Sequence, residues 1–162
     1  MIRATLAAAL FCVVFGGAHA ADDSSVSLLM KVNAVRLAQG LTPVSIDANL
    51  TRVAQRHAEE IAAREELSHA SIDGARIGER LERVGYPYLL ATENLASGTL
   101  DAEDTLERWL DSPGHRLNLL SPAVRQAGVG YIEVPLPDMR VTYRSYWVLV
   151  LACPASEPGT GG

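Results

Sequence analysis

Trp147-Val148-Leu149-Val150-Leu151 is apolar at every position, and this run decides the fold class. A strand with one solvated face alternates apolar and polar residues, whereas a strand covered on both faces is apolar throughout. We therefore predict a central strand with helices on each side, within a long strand from Val141 to Cys153. A turn at 135–138 separates it from an earlier strand, in which apolar residues alternate from 127 to 131.

Upstream of these strands the apolar residues recur three or four positions apart, which predicts helices. Asp47 is placed to cap the clearest helix. Its apolar face is formed by Leu50, Val53, Ala54, His57, Ala58, Ile61 and Ala62. Further helices are predicted after Ser24 or Ser25, after Asp73 and around Trp109, with residues 66–74 a loop and 89–98 a mixed segment. The chain is thus predicted to be α+β, with helices packed against a small, largely antiparallel sheet.

The first 20 residues have the features of a secretory signal peptide. Arg3 precedes an apolar stretch, and Ala18-His19-Ala20 places small residues just before Ala21. The apolar stretch is shorter than the roughly 20 residues that a spanning helix needs, so no stable membrane span is expected after cleavage. The polar run at 21–25 is expected to interrupt any helix that starts in this segment. We predict a secreted protein, extracellular or periplasmic, with a domain at 21–153 and a disordered tail at 154–162.

The charge balance argues against nucleic acid as a partner. The formal net charge is −5, whereas nucleic-acid binders concentrate positive charge to release counterions. Arg76, Arg80 and Arg83 form a local basic cluster, but Glu79 and Glu82 lie between them. This pattern predicts a solvated, salt-bridged helix face.

Cys153 is the single cysteine that remains after the predicted cleavage. A secreted domain with one thiol has no internal disulfide, so its stability must come from core packing. The position of Cys153 at the end of an apolar strand predicts a buried, unreactive thiol, and pairing between molecules stays open.

Three other histidines follow the predicted cleavage site, and their contexts differ. His57 lies in the apolar stripe of its helix, where a structural histidine is expected. His69 and His115 lie in loops or at element starts, and Glu93 lies in a short polar break, which are positions where binding groups concentrate. Their spacing alone matches no metal motif, because no pair stands at i, i+4 on one helix.

The order of short motifs from residue 68 onward is similar to that of one known family. The motifs are Ser68-His69-Ala70-Ser71-Ile72-Asp73-Gly74, Arg80, Gly85-Tyr86, Glu93-Asn94-Leu95-Ala96, Trp109, Ser112-Pro113-Gly114-His115-Arg116 with Asn118, Gly128-Val129-Gly130 and Tyr146-Trp147. In this order, behind a predicted signal peptide, they resemble the bacterial, SCP-like extracellular branch of the CAP superfamily. That superfamily includes cysteine-rich secretory proteins, antigen 5 and the plant pathogenesis-related 1 proteins. The resemblance extends from Asn33 and Arg36 to the last strand.

The resemblance implies a three-layer α-β-α sandwich, the CAP fold, with a cleft lined by histidines and acidic groups. His69, Glu93 and His115 match the family's cleft residues. Many animal members carry a second glutamate three positions after the helix tryptophan, where this chain has Ser112, and Thr92 replaces the usual glycine before Glu93. The implied ligand cleft is therefore His69, Glu93, Ser112 and His115. Of these, His69, Glu93 and His115 are candidate ligands for a divalent metal such as zinc, with no other cofactor implied.

The remaining motif residues have simpler structural interpretations. Arg116 and Asn118 are expected to tie their loop to the domain by hydrogen bonds. Gly128 and Gly130 are expected to allow close approach of another backbone to the strand. The two tryptophans are expected in the core.

Three functional hypotheses follow. The first is a binding module whose ligand is a lipid, a cell-envelope component or another protein. The alternative is a metal-assisted, peptidase-like hydrolase that uses the same cleft, although a missing second carboxylate leaves no obvious general base. Ser112 could act as a nucleophile only with a base such as His115 in reach. The third is a structural protein in which the cleft has no role.

Overall fold

The computed structural model describes residues 17–98, 101–134 and 145–155, with side chains from residue 23 onward. The helices in these ranges are α1 (Gly17–Ala38), α2 (Ala48–Arg64), α3 (Ile77–Arg83), α4 (Ala102–Asp111) and α5 (Pro113–Leu119). The strands are β1 (Ser45–Ile46), β2 (Tyr88–Gly98), β3 (Gln126–Glu133) and β4 (Ser145–Pro154). The predicted α+β class is confirmed.

The four strands form one sheet in the order β1-β3-β4-β2. β4 pairs antiparallel with both β2 and β3, and the short β1 runs parallel to β3. Every residue from 145 to 152 of β4 is buried. The prediction of a strand covered on both faces is therefore confirmed, and the sheet is largely antiparallel.

Two hydrophobic cores lie on opposite faces of the sheet, and alternate residues of β4 belong to different cores. Trp147 and Leu149 pack in the core that also holds side chains of α1, α4 and α5. Val148 and Val150 pack in the core that holds side chains of α2 and α3. Helices thus cover both faces, which is the three-layer sandwich that the resemblance implied. Trp109 and Trp147 are both buried in the first core.

Helix α2 packs directly on the backbone of β3, as predicted from the glycines of that strand. A Cβ atom on Gly128 would lie 2.1 Å from the backbone of Leu50 and Thr51. A Cβ atom on Gly130 would lie 2.3 Å from the carbonyl oxygen of Ala54. Because real Cβ atoms do not approach other atoms this closely, only glycine permits the observed distance between helix and strand.

Helix α1 is tied to the rest of its layer by a buried arginine. The Arg36 side chain donates to the carbonyl oxygens of Thr42 at 3.0 Å, Leu119 at 2.7 Å and Ser121 at 3.0 Å. A fourth contact, to Val124 O, is 3.5 Å long. One guanidinium therefore satisfies carbonyl groups at the end of α5 and in the segment that leads to β3.

The residues from 88 to 98, predicted as a mixed segment, form the long strand β2. Two polar residues interrupt its alternation, since Glu93 and Asn94 are both buried and point to opposite faces. The pattern that ordinarily identifies a half-buried strand is absent because both faces of this strand are covered in its second half. The two-residue β1 was also not predicted.

Two helix starts differ from the prediction. Helix α1 runs through residues 21–25 without a break. The alanines at 18, 20 and 21 are strong helix formers, and an Asp or Ser in a helix is less favourable than Ala by no more than about 0.7 kcal/mol per residue. Helix α3 starts after Arg76, not after Asp73, whose carboxylate instead accepts a hydrogen bond from Ala75 N. The cap of α2 is confirmed, with Asp47 accepting from the amides of residues 49 and 50.

The two ends of the chain were predicted on residues that are only partly described. Residues 1–16 and 156–162 lie outside the described ranges, as do 135–144 with the predicted turn, and the signal peptide stays a prediction. Pro154, predicted to begin the tail, is the last residue of β4, and Ala155 N donates to Pro87 O. Cys153 is a free thiol but is only partly buried, since β4 leaves the core there. In the described ranges, no helix combines the length and the apolar character that a membrane crossing requires.

Candidate functional site

Glu93 lies on β2, the edge strand of the sheet, and its side chain is buried on the α2–α3 face. Successive side chains of a strand point to opposite faces, so the next residue, Asn94, points to the α5 face. The edge strand therefore presents one polar side chain to each helical layer. Candidate residues from the two helical layers are therefore held at the same edge of the sheet.

His69 lies in the loop after α2, as predicted, and contacts Glu93. Its Nδ1 donates to Glu93 Oε1 at 2.8 Å, while its side chain is 51% exposed. The loop is held in place by neighbouring bonds, since Arg64 donates to Ala70 O at 2.9 Å and Ala70 N donates to Ser68 Oγ at 3.1 Å. The imidazole is thus anchored at one nitrogen and open to solvent.

Arg80 is the second partner of Glu93, and the sequence interpretation of this residue was wrong. Its Nη2 lies 2.8 Å from Glu93 Oε2 and donates to His69 O at 3.2 Å. The side chain is 8% exposed. The sequence signal was present, because Arg80 falls three positions after Ile77 and so lies on the apolar face of α3. Its solvated neighbour Arg83 pairs with Asp73 instead.

His57 is buried behind this pair, as expected of a structural histidine. Its Nε2 donates to Ser68 O at 2.8 Å and lies 4.0 Å from Glu93 Oε1. Burial lowers the pKa of His57, and the Glu93 carboxylate opposes this shift only in part. The ring is therefore neutral near pH 7.

His115 lies in the first turn of α5, on the other helical layer. Asn94 Nδ2 donates to His115 O at 3.1 Å, and Asn118 Nδ2 donates to Asn94 Oδ1 at 2.8 Å. These bonds fix the start of α5 to the edge strand, which confirms the tying role predicted for Asn118, whereas the Arg116 side chain is exposed. The ring centroid of His115 lies 6.4 Å from that of Trp109.

The environment of His115 also connects it to His69. Burial lowers the pKa of His115, and a positive charge on His69 lowers it further. The two imidazoles, which are 46 positions apart in the sequence, are therefore near enough to interact electrostatically. His115 is neutral near pH 7 and available as a nitrogen ligand.

Ser112 joins α4 and α5, and its contacts give no support to the nucleophilic role considered above. It occupies the position before the first turn of α5, but its hydroxyl makes no capping bond there, since Arg116 N donates to its carbonyl oxygen instead. In the described structure its hydroxyl makes no hydrogen bond with His115. The residue that replaces the family's usual glycine, Thr92, has a buried hydroxyl with no hydrogen-bond partner in the same described ranges.

The proposed three-ligand metal set does not form as a group. Within residues 17–98, 101–134 and 145–155, no cluster of three or more His, Cys, Asp or Glu side chains is arranged to hold a metal ion. Glu93 is engaged on both oxygens, by His69 and by Arg80. A carboxylate bonded to the second nitrogen of a histidine is the usual outer partner of a metal-ligating imidazole. Glu93 is thus placed to orient the His69 ring.

Comparisons with known proteins agree with this architecture. The family model described as the cysteine-rich secretory protein family, CAP, matches residues 29–150. An extracellular protein containing an SCP domain from Bacillus anthracis shares the fold with a TM-score of 0.71 at 26% identity, over 82% of this chain and 41% of that one. An outer surface protein from Borrelia burgdorferi also has a TM-score of 0.71, at 19% identity over 80% of this chain and 91% of that one, and so supports the fold alone.

Two proteins of Bacillus subtilis (strain 168) are similar in sequence. The uncharacterized protein YkwD is 34% identical over 115 residues, which are 68% of this chain and 45% of YkwD. The uncharacterized membrane protein YlbC is 32% identical over 107 residues, which are 66% of this chain and 31% of YlbC. The chain spans less than half the length of either relative. The family match, the sandwich and the histidines brought to the edge strand together show that this chain belongs to the CAP, or cysteine-rich secretory protein, family.

Proposed function

We propose that the protein is a secreted or surface-exposed CAP module that binds a ligand of the cell envelope in the cleft between His69 and His115. The observation that carries the proposal is the state of Glu93, whose two oxygens are held by His69 and Arg80. A carboxylate held in this way positions an exposed imidazole, and its contacts with His69 and Arg80 compete with any role as a general base. The arrangement therefore favours recognition over hydrolysis.

A secreted or surface location is part of the same proposal. It is supported by the predicted signal peptide and by the printed descriptions of two similar structures, one an extracellular protein and one an outer surface protein. A ligand at the cell envelope is the class that such a location makes available.

A divalent metal ion would fit this cleft as part of ligand binding. His69 and His115 would hold it through ring nitrogens, and the ion would supply a positive charge able to attract an anionic or carbonyl group of the ligand. Glu93 fixes the orientation of His69, and the lowered pKa of His115 keeps that ring deprotonated. The metal remains a proposal that calorimetry with Zn²⁺ alone can test.

The experiment measures two properties of the purified protein, first with Zn²⁺ and then with a chelator. The first is cosedimentation with two envelope probes, and the second is cleavage of a third, non-envelope probe. The envelope probes are isolated peptidoglycan sacculi and phosphatidylglycerol vesicles, and the third is a mixture of peptide substrates. We expect binding to sacculi or vesicles that drops at least about tenfold in His69→Ala and His115→Ala, a loss of roughly 1.4 kcal/mol. The exposed Gln39→Ala variant in the linker after α1 serves as the control.

Two outcomes would contradict the proposal. Peptide cleavage that requires His69 and His115 would support the hydrolase alternative. Binding that is equal in wild type and both histidine variants, or absent for both envelope probes, would remove the cleft as a recognition site.

A further inference from the structure

A pocket lies between α2, the loop at 71–73 and α3, and although it shares Arg80 with the site described above, neither His69 nor His115 lines it. We call it the arginine pocket, because its wall includes Arg52, Arg56, Arg80 and Arg83. Its volume is about 340 Å³, which is at the lower end of the range for small-molecule sites. The side chains of Val53, Ile72 and Val84 provide an apolar part of the wall.

The arginine pocket has an excess of positive charge in a chain that is acidic as a whole. Arg83 is paired with Asp73 at 2.6 Å, and Arg80 is paired with Glu93 behind the wall. Arg52 and Arg56 are exposed on one face of α2, four positions apart. Among the described residues neither forms an ion pair with a carboxylate, and Arg52 donates to Asn49 Oδ1. Like charges at this spacing repel one another. The pocket therefore favours an anionic group.

Buried polar atoms without partners are concentrated on the same wall. Within the described part of the chain, Nε and Nη1 of Arg80, Nδ1 of His57 and Oε2 of Glu60 have no hydrogen-bond partner and almost no solvent contact. A buried polar group left unpaired costs roughly 1–3 kcal/mol, so such groups are rarely left without a partner. Their concentration at one pocket points to a ligand that supplies the missing partners.

The unpaired atoms differ in what they require. Arg80 offers N–H donors. His57 donates through Nε2 to Ser68 O, which leaves Nδ1 of the ring as an acceptor. This nitrogen lies 3.7 Å from the acceptor Oε2 of Glu60. One group with two N–H bonds can bridge two acceptors at that separation.

We propose that the arginine pocket binds a small zwitterionic ligand, an amino acid or a short peptide with free ends. Its carboxylate would interact with the arginines, and its ammonium group would bridge His57 and Glu60. A simple inorganic anion would meet only the first requirement, and a simple amine only the second. The inference goes beyond the function proposed for the cleft, since none of the residues in contact with this ligand is His69 or His115.

The test uses alanine and alanyl-alanine as probes, measured by calorimetry and by shifts of backbone amide NMR signals at residues 71–73. The matched probes are alanyl-alanine amide, which lacks the carboxylate, N-acetyl-alanyl-alanine, which lacks the ammonium, and inorganic phosphate. We expect binding of at least one zwitterion and affinities about tenfold lower for each blocked form, because a charged hydrogen bond contributes roughly 1.5–3 kcal/mol. Comparison of alanine with alanyl-alanine separates an amino acid from a peptide end.

Two variants and two controls assign the effect to the pocket. Arg56→Gln and Glu60→Gln should each weaken zwitterion binding about tenfold. Arg108→Gln on α4 and Glu59→Gln, the exposed neighbour on α2, should change it less than about twofold. His115→Ala should leave it unchanged, so that failure here is separate from failure of the cleft proposal. Phosphate binding equal to that of the dipeptide, equal affinity of the blocked probes, or no binding of either zwitterion would overturn the inference.

Discussion

At the scale of single residues, buried charge determines much of this structure. Arg36 and Arg80 are both buried, and each bonds groups from distant parts of the chain. Removing a partner from a buried charge network costs more than a surface pair contributes, because the groups left behind are unpaired in a medium of low dielectric constant. The two arginines are therefore positions where a conservative change has large effects.

Replacement of Arg36 by Met should strongly destabilise the protein. The substitution keeps most of the buried volume but leaves the carbonyl groups of residues 42, 119 and 121 without their donor. We expect a loss of about 3–5 kcal/mol in the free energy of unfolding, measured by urea denaturation. The exposed Arg108→Met should change it by less than about 0.5 kcal/mol. Equal effects of the two substitutions would contradict the role assigned to Arg36.

The titration of His115 should reveal its proximity to His69. The pKa of His115 is lowered by burial and, to a smaller extent, by His69. We expect NMR titration of the ring proton to give a pKa below 6.5, and His69→Ala to raise it while leaving it under that value, since burial remains. Glu107→Gln, an exposed change on α4, should leave the titration as in wild type. An unchanged pKa of His115 in the His69→Ala variant would show that the two rings are too far apart to interact.

Sequence reasoning at this scale found His69, Glu93 and His115 but missed the burial of Arg80. His69, Glu93 and His115 were identified from loop context and from the family resemblance, and the structure brings His69 and Glu93 into contact. Arg80 was assigned to a solvated face because the alternating charges around it match that pattern. Which of several arginines turns inward depends on an unpaired carboxylate across the fold, and that is not visible in a local window of sequence.

At the scale of elements, α2 and β3 pack so closely that their contact leaves no room for a side chain on two residues of the strand. Gly128 and Gly130 bring the strand against the helix backbone at Leu50 and Ala54. The sequence predicted this close approach from the two glycines. It did not predict β2, whose two central polar residues break the alternation that strand recognition depends on.

Substitution of either strand glycine by alanine should be far more harmful than the same change in a helix. At Gly128 or Gly130 the new methyl group would overlap α2 backbone, so we expect losses of at least about 3 kcal/mol in unfolding free energy. Gly114 has no atom within 4 Å of the position of an added Cβ. Gly114→Ala should therefore be neutral or stabilise α5 by about 0.5–1 kcal/mol. Urea denaturation of the three variants compares them, and a neutral Gly128→Ala would contradict the packing described.

At the scale of the whole molecule, the sheet separates two cores and the edge strand joins the two layers of functional groups. The α-β-α order could be predicted from one apolar run and from the family resemblance. The candidate site could not be derived from periodicity, because its histidines are 46 positions apart and lie on different helical layers, each held to β2 by its own contacts. The three-ligand metal set implied by the family was not confirmed, since Arg80 occupies one side of Glu93.

The protein should become less stable in mild acid because of its buried histidines. Burial lowers the pKa of both His57 and His115 in the folded state, whereas the unfolded chain titrates near pH 6.5. Below about pH 6.5 the unfolded state binds more protons, so unfolding free energy should fall from there down to the lowered folded pKa values and stay constant above. His57→Gln should reduce this slope in a pH series of urea melts, and Arg108→Gln should keep it. A slope of opposite sign would contradict the burial of His57.

The two glycines of β3 also set the distance between α2 and the sheet, and this distance is expected to differ among members of the family. Helix α2 carries His57 and leads directly into the loop with His69, so its height above the sheet fixes where both rings stand. A relative with a side chain at either glycine position must hold the helix farther out, and its cleft must be wider on that side. Reading these two positions in an alignment would thus rank relatives by the width of their cleft before any of their structures is known.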